Sequence, residues 1–245
     1  MTTKGGRLAI RKFGLANLWS KDSQCNFAVL GAEEVGKTAL VVRFLTKKFL
    51  SEYSHCTSFC YERNVSVNDK ILPVRITDTS GKDSYTSLKS KGLLEGADGY
   101  LIVYSVTDKR SFVKARELLK LLKEDFGEEG QTPVALIGNK DDLVHYRAVC
   151  SAEGQRVALF YPGCLFYECS AAREAQNVET AFQKFLGQVV TSKEQRRRLS
   201  AFSVLTPKIQ NPRRNSAGNS TLSSWWKKNR PNSEREVRQD RTLTM

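Results

Sequence analysis

The segment that most constrains the fold is Gly31–Thr38, which matches the pattern G-x-x-x-x-G-K-[ST] of a phosphate-binding loop. It follows the apolar residues 27–30 and opens a helix-like run that continues to Leu45. A strand, a glycine-rich loop and a helix in this order direct backbone N–H groups and a helix N-terminus at anionic oxygens. The sequence therefore predicts an α/β nucleotide-binding domain of the P-loop NTPase class.

Two residues of this loop carry side chains with specific roles. Lys37 would contact the β- and γ-phosphates, and the Thr38 hydroxyl would ligate Mg²⁺. The residues expected to bind the phosphates are Gly31, Glu33, Glu34, Val35, Gly36, Lys37, Thr38 and Ala39.

Two later segments indicate that the base is guanine. The strand-like run 134–138 leads into Asn139-Lys140-Asp141-Asp142, which fits the N-K-x-D pattern of GTP-binding proteins. The Asp142 carboxylate can accept from both N1–H and the 2-amino group of guanine, a donor pair that adenine lacks. After the strand-like run 164–169, the N–H of Ala171 would meet guanine O6. The predicted base-binding residues are Asn139, Lys140, Asp142, Ser170, Ala171 and Ala172.

These motifs, with Asp78-Thr79-Ser80-Gly81 between them, stand in the order found in the Ras superfamily of small GTPases, which the chain resembles over roughly residues 24–192. Residues 38–49 look closest to the branch of the Ras-like estrogen-regulated growth inhibitor and its Ras-like relatives. The resemblance implies a monomeric signalling protein that binds GTP or GDP with Mg²⁺, together with protein effectors and regulators. It also implies that Phe49 packs against guanine, that Asp78 holds Mg²⁺ through water, and that the Gly81 N–H contacts the γ-phosphate.

The chain departs from the family pattern where hydrolysis is performed or sensed. Glu33 replaces a small residue near the γ-phosphate, where a carboxylate is electrostatically unfavourable unless a cation intervenes. Lys82 replaces the glutamine that orients the attacking water, and a lysine side chain can only donate. Lys82 could instead neutralise the γ-phosphate or pair with Glu33.

The first switch segment, residues 49–57, departs as well. Cys56 occupies the position of the threonine that senses Mg²⁺ and the γ-phosphate, and Thr57 follows it. Either the loop shifts by one residue and Thr57 ligates Mg²⁺, or the sensor is absent, because a thiol is a poor ligand for this hard cation. The catalytic candidates are therefore Gly81, Lys82 and Thr57, and we expect slow hydrolysis.

Strand-like and helix-like runs alternate through residues 23–192, which predicts a six-stranded, mostly parallel sheet with helices on both faces. The predicted strands are 26–30, 60–67, 71–77, 99–105, 133–138 and 164–169. The predicted helices are 37–46, 84–95, 110–125, 151–160 and 178–192. Because Asn68-Asp69-Lys70 reads as a hairpin turn, one strand should be antiparallel.

Basic ends flank this domain. Residues 1–22 carry a net charge of +4 and residues 193–245 carry +9, which accounts for the whole net charge of +13. Residues 193–245 are rich in Ser, Asn and Arg and are predicted to be disordered. A basic tail on a neutral domain favours an anionic partner, either a membrane surface or nucleic acid. Two R-R-x-S patterns mark Ser200 and Ser216 as kinase-site candidates.

The sequence leaves three functions open. The first is a GTP-binding switch with slow hydrolysis, the second a pseudo-GTPase scaffold with little switching, and the third a nucleic-acid or chromatin-associated protein acting through its tails. The six cysteines form no C-x-x-C pair, and we expect neither a secretory signal nor a membrane span. We also expect no prenylation or myristoylation. The expected location is the cytoplasm, with the inner face of the plasma membrane or the nucleus as alternatives.

Overall fold

A single mixed sheet organises the part of the chain that the computed structural model describes, which is residues 24–49, 58–67, 69–126 and 132–205, without the side chains of 201–205. The strands are β1 Cys25–Gly31, β2 Phe59–Val67, β3 Lys70–Asp78, β4 Gly99–Ser105, β5 Val134–Asn139 and β6 Leu165–Glu168. The helices are α1 Lys37–Thr46, α2 Tyr85–Ser90, α3 Lys109–Phe126, α4 Ser151–Leu159 and α5 Ala175–Leu205, with a 3-10 turn at Val144–Tyr146. The chain divides into one compact unit that ends at Ser203 and a second unit, Val204–Met245.

The strand order is β2-β3-β1-β4-β5-β6, and only β2 runs antiparallel to its neighbour. The predicted six-stranded, mostly parallel sheet is therefore confirmed. The carboxyl ends of β1, β3, β5 and β6 lie along one edge, which is where ligands bind in open α/β sheets. The loops at the carboxyl ends of these strands carry the phosphate-binding loop, Asp78-Thr79-Ser80-Gly81, the N-K-x-D pattern and the Ser170-Ala171 pair.

Alternate residues of β1 feed two hydrophobic cores. Phe27 and Val29 pack with residues of α1 and α5, whereas Ala28 and Leu30 pack on the other face with residues of α2 and α3. Because both faces are covered, β1 and β4 read as continuous apolar runs instead of alternating ones. In α3 the residues that recur at helical spacing are all buried and form core, namely Phe112, Ala115, Leu118, Leu119 and Leu122.

Two predicted helix ends are wrong. Helix α2 stops at Ser90 instead of residue 95, because Gly92 and Gly96 both adopt φ of +67° and interrupt the helix. Helix α5 continues past residue 192 to Leu205, into the segment predicted to be disordered.

The part of α5 beyond residue 192 is held to the residues that immediately precede β1 and β4. The Lys193 ammonium donates to Asp98 Oδ2 at 2.7 Å and to the Gln24 carbonyl at 2.5 Å. Arg196 adds an ion pair with Asp98 at 3.7 Å. None of the described helices is both long and apolar enough to cross a membrane. The predicted extension 1–22, residues 50–57 of the first switch segment and the predicted tail beyond residue 205 lie outside the described residues.

Candidate nucleotide-binding site

The phosphate-binding loop is held in a shape that only glycine permits at two positions. Gly31 has φ of +148° and Gly36 has φ of +89°, both in the region that favours glycine. A Cβ on Gly31 would overlap the Val103 carbonyl of β4, and one on Gly36 would overlap the Asn139 side chain. The two consensus glycines are therefore required both by backbone conformation and by close approach of neighbouring elements.

Lys37 points into the curve of this loop. Lys37 is only 6% exposed. Its ammonium group donates to the Gly31 carbonyl at 3.1 Å and to the Ala32 carbonyl at 2.6 Å. Burial lowers the pKa of Lys37 to about 8, against the opposing effect of the Asp78 carboxylate. A buried ammonium group suits an anionic ligand, which would favour its charged form.

Thr38 and Asp78 form the oxygen pair that the sequence assigned to Mg²⁺. The Thr38 hydroxyl donates to Asp78 Oδ2 at 2.6 Å, across the gap between α1 and the end of β3. Asp78 is 3% exposed, and the next residue is tied to β1 because Thr79 Oγ1 donates to the Val29 carbonyl at 2.7 Å. A hydroxyl and a carboxylate are the hard donors that Mg²⁺ prefers, so the residues present fit that ion.

One buried amide joins the phosphate-binding loop to the predicted guanine-binding segments. Asn139 Nδ2 donates to the Val35 carbonyl at 2.8 Å, and its Oδ1 accepts from the Ala171 N–H at 3.1 Å. Asn139 is 2% exposed. The structure thus brings β1, β5 and β6 motifs together through a single side chain. The contact of the Ala171 N–H with guanine O6 stays a prediction.

Other predicted base-binding residues lie around this amide. Ser170 Oγ accepts from the N–H groups of Ala172 at 3.0 Å and Arg173 at 3.3 Å, which fixes the loop after β6. Lys140 adopts the left-handed conformation with φ of +66°, and Asp142 is half-buried beside it. These two residues lie on the same short loop as Asn139.

Lys82 and Glu33, the two departures from the family pattern near the expected γ-phosphate position, lie in a more exposed setting. Lys82 Nζ is 3.7 Å from a Glu33 carboxylate oxygen, and the two side chains are 67% and 53% exposed. This pairing is one of the two roles expected for Lys82. Glu34 is exposed as well and has φ of +59°. An exposed ion pair of this kind is worth about 0–1 kcal/mol, so it does not lock the loop.

Gly81 lies against the phosphate-binding loop itself. A Cβ at this position would be 2.6 Å from the Ala32 carbonyl oxygen and would overlap the Glu33 nitrogen. No side chain larger than hydrogen fits there without moving one loop away from the other.

Sequence reasoning missed one residue at this site. Lys114 of α3 donates from its ammonium group to the Gly81 carbonyl at 2.8 Å. A lysine on a long amphipathic helix carries no motif, so only the packing of α3 could have indicated this role. Phe49 is 42% exposed, and Cys56 and Thr57 lie outside the described residues.

Comparison with known proteins agrees with this geometry. Residues 26–191 match the model of the Ras family. The human Ras-related and estrogen-regulated growth inhibitor is 34% identical over 170 residues, covering 69% of this chain and 83% of the relative. The rat Ras-like protein family member 11A is 38% identical over 168 residues, covering 66% and 69%. The human Ras-like protein family member 12 is 36% identical over 162 residues, covering 66% and 60%.

Proposed function

Because this chain belongs to the Ras family, we propose that it is a signalling protein that binds GTP and GDP with Mg²⁺ and hydrolyses GTP slowly. The observation that carries the binding part of this proposal is the Asn139 amide, which links the phosphate-binding loop to the loop after β6. The same amide sits where the predicted phosphate and guanine contacts converge.

Each half of the nucleotide has a set of residues that would hold it. Lys37 and the loop N–H groups would bind the phosphates, and Thr38 and Asp78, with Thr57 as a further candidate, would hold Mg²⁺. When bound, the ion neutralises charge on the β- and γ-phosphate oxygens. Asp142 would accept from guanine, and Phe49 would pack against the base.

Slow hydrolysis follows from what stands near the γ-phosphate position. Catalysis of phosphoryl transfer is mostly positioning and charge stabilisation, and the family uses an acceptor-bearing glutamine to orient water. Lys82 has no acceptor and lies in an exposed pair with Glu33. We therefore expect the rate of GTP hydrolysis to be reduced much more than the affinity for nucleotide.

The nucleotide that copurifies with the full-length protein tests the binding proposal directly. After denaturation and chromatography we expect GDP or GTP near one equivalent, and no adenine nucleotide. Asp142→Asn should shift preference from guanine toward xanthine nucleotides, since an amide can donate to the 2-oxo group. Asp69→Asn, on the exposed β2–β3 turn, is the matched control and should retain guanine nucleotide. A preparation that binds ATP and GTP equally would overturn the proposal.

A pseudo-GTPase scaffold is the second candidate, and the Lys82–Glu33 pair favours it because both residues depart from the family pattern. The two candidates differ in their response to the γ-phosphate. A slow switch binds its effector differently when loaded with GDP or with a GTP analogue. A scaffold binds equally well in both forms, so an affinity comparison with the two loaded forms decides between them.

We further propose that the basic end of α5 and the residues after it bring the protein to an anionic surface. Arg197 and Arg198 are exposed on the helix, and each Lys or Arg near an anionic leaflet contributes about 1 kcal/mol. Sedimentation with neutral and anionic vesicles, with and without residues 206–245, tests the membrane version. Equal sedimentation with both vesicles, together with retention on nucleic acid, would favour the nuclear alternative.

A further inference from the structure

The start of the second switch segment, residues 79–82, is held by contacts from several elements. The Thr79 N–H donates to the Val29 carbonyl at 3.2 Å, and the Ser80 N–H donates to Ser58 Oγ at 3.0 Å. The Lys82 N–H donates to Ser80 Oγ at 3.3 Å. The carbonyl group of Gly81 is the acceptor for Lys114, at 2.8 Å.

Lys114 projects from α3, a helix whose inner face is buried against the sheet. Phe112 and Ala115, close to Lys114 on α3, are 2% and 0% exposed and belong to the core beneath the sheet. Lys114 itself is half-buried. Its ammonium group therefore joins a rigid element to a loop whose family role is to respond to the nucleotide.

The neighbouring charges leave this contact in place. The Asp83 carboxylate lies within electrostatic range of Lys114, but it accepts from Lys91 Nζ at 2.6 Å and from Ser87 Oγ at 3.2 Å. Burial is the main cause of the lowered pKa of Lys37, and the positive charge of Lys114 acts in the same direction.

We propose that Lys114 is a positioning residue that holds the Gly81 carbonyl to α3 and so keeps the Gly81 backbone seated against the phosphate-binding loop. The seat is tight, because a Cβ on Gly81 would lie 2.6 Å from the Ala32 carbonyl oxygen. The proposal rests on the proposed function in one respect, namely that this segment flanks the bound nucleotide. Its consequence is that residues 79–82 open less often than a loop held only by its own backbone contacts.

Amide hydrogen exchange of the full-length protein tests this role, with GDP and with a non-hydrolysable GTP analogue. Lys114→Met keeps the apolar stem of the side chain and removes the donor, and Lys114→Gln is a second neutral variant. Lys114→Arg keeps a cationic donor and should rescue the contact. Lys120→Met is the matched control, since Lys120 lies on the same helix, has a side chain that is 74% exposed and, among the described residues, pairs with Glu124 of its own helix.

We expect exchange in the peptide that covers residues 79–83 to rise about tenfold or more in Lys114→Met, because a hydrogen bond to a charged group is lost. Lys114→Arg and Lys120→Met should match the wild type, and peptides from the buried face of α3 should be unchanged in all variants. Equal exchange in Lys114→Met and Lys120→Met would overturn the proposal. A rise spread over the whole of α3, without rescue by arginine, would also overturn it, because it would mean lost helix packing.

The nucleotide content of each sample, measured after denaturation, separates this proposal from the proposed function. If no guanine nucleotide is bound, the proposed function fails, yet the comparison of the Lys114 variants still shows whether the Gly81 carbonyl is held.

Discussion

The binding side and the hydrolysis side of this site are built differently, although they share the same loop. On the binding side, Lys37, Asp78 and Asn139 are 6%, 3% and 2% exposed and make hydrogen bonds of 2.6–3.1 Å. On the hydrolysis side, Lys82 and Glu33 are more than half exposed and 3.7 Å apart. Burial thus concentrates the structural cost of mutation at the residues proposed to hold nucleotide, whereas Lys82 and Glu33 are open to substitution.

The largest effect should come from Asn139→Ala, which removes the side chain at the centre of the binding side. The change leaves the Val35 carbonyl and the Ala171 N–H without their partner, at roughly 1–3 kcal/mol for each orphaned group. We expect both the free energy of unfolding and the affinity for GDP to fall sharply in denaturation and calorimetric titrations. Asn64→Ala, on the exposed strand β2, is the control and should change neither quantity. Unchanged GDP affinity in Asn139→Ala would break the comparison.

Gly81→Ala should have the next largest effect, and it tests the boundary between the two sides. The added methyl group cannot fit against the Ala32 and Glu33 backbone, so the second switch segment must move away. Affinity for a GTP analogue should fall about tenfold or more while GDP affinity stays close to that of the wild type, since only the γ-phosphate is expected to contact this backbone. Ser90→Ala, exposed at the end of α2, is the control. Equal loss for both nucleotides would place Gly81 on the binding side instead.

A moderate effect is expected when GDP affinity is measured against pH, which tests the role of Lys37. With a pKa of about 8 in the free protein, Lys37 loses its charge as the pH rises through that value, whereas bound phosphates would hold the charge in place. GDP affinity should therefore fall about fivefold between roughly pH 7 and 8.7. Lys37→Arg, whose guanidinium group stays charged throughout, should flatten this slope whatever its own affinity. An identical slope in both proteins would mean that another group titrates.

The same lowered pKa predicts how the folding stability of the free protein changes with pH. Because the unfolded chain keeps Lys37 protonated up to about pH 10.4 while the folded chain releases the proton near 8, the unfolded state binds more protons in between. The contribution of Lys37 to folding stability therefore increases as the pH rises through this window, opposite to the trend in GDP affinity.

The smallest effect should come from Asp98→Asn, far from both sides of the site. Lys193 and Arg196 would lose their charged partner, although the Gln24 carbonyl would still accept from Lys193. The free energy that holds residues 193–200 in α5 should fall by about 1 kcal/mol, because an amide oxygen can still accept from Lys193 and only the added strength of a charged acceptor is lost. Amide exchange of that segment would show this. GDP affinity should not change. A loss of GDP affinity would mean that the base of the sheet is coupled to the nucleotide site.

The sequence predicted the features that are set by neighbouring residues and missed those that depend on contacts between distant parts of the chain. The Gly31 and Gly36 positions, the Asn139 motif and the strands were predictable because their spacing and apolar runs reflect backbone geometry directly. The end of α5 was not, because its charged composition argues for disorder and the Asp98 anchor lies far away in the chain. Lys114 could not be found for the same reason, since it reaches Gly81 only through the packing of α3.

We propose that nucleotide binding is retained while the chemical step is impaired, and single-turnover hydrolysis of preloaded GTP distinguishes the two. The wild type should hydrolyse GTP at or below about 10⁻⁴ s⁻¹. Replacing Lys82 with Gln and Glu33 with Gly together should raise the rate without weakening GTP retention, whereas Lys120→Gln should leave it unchanged. A fast wild-type rate, or a doubly substituted protein that releases GTP without gaining rate, would mean that Lys82 and Glu33 do not slow hydrolysis.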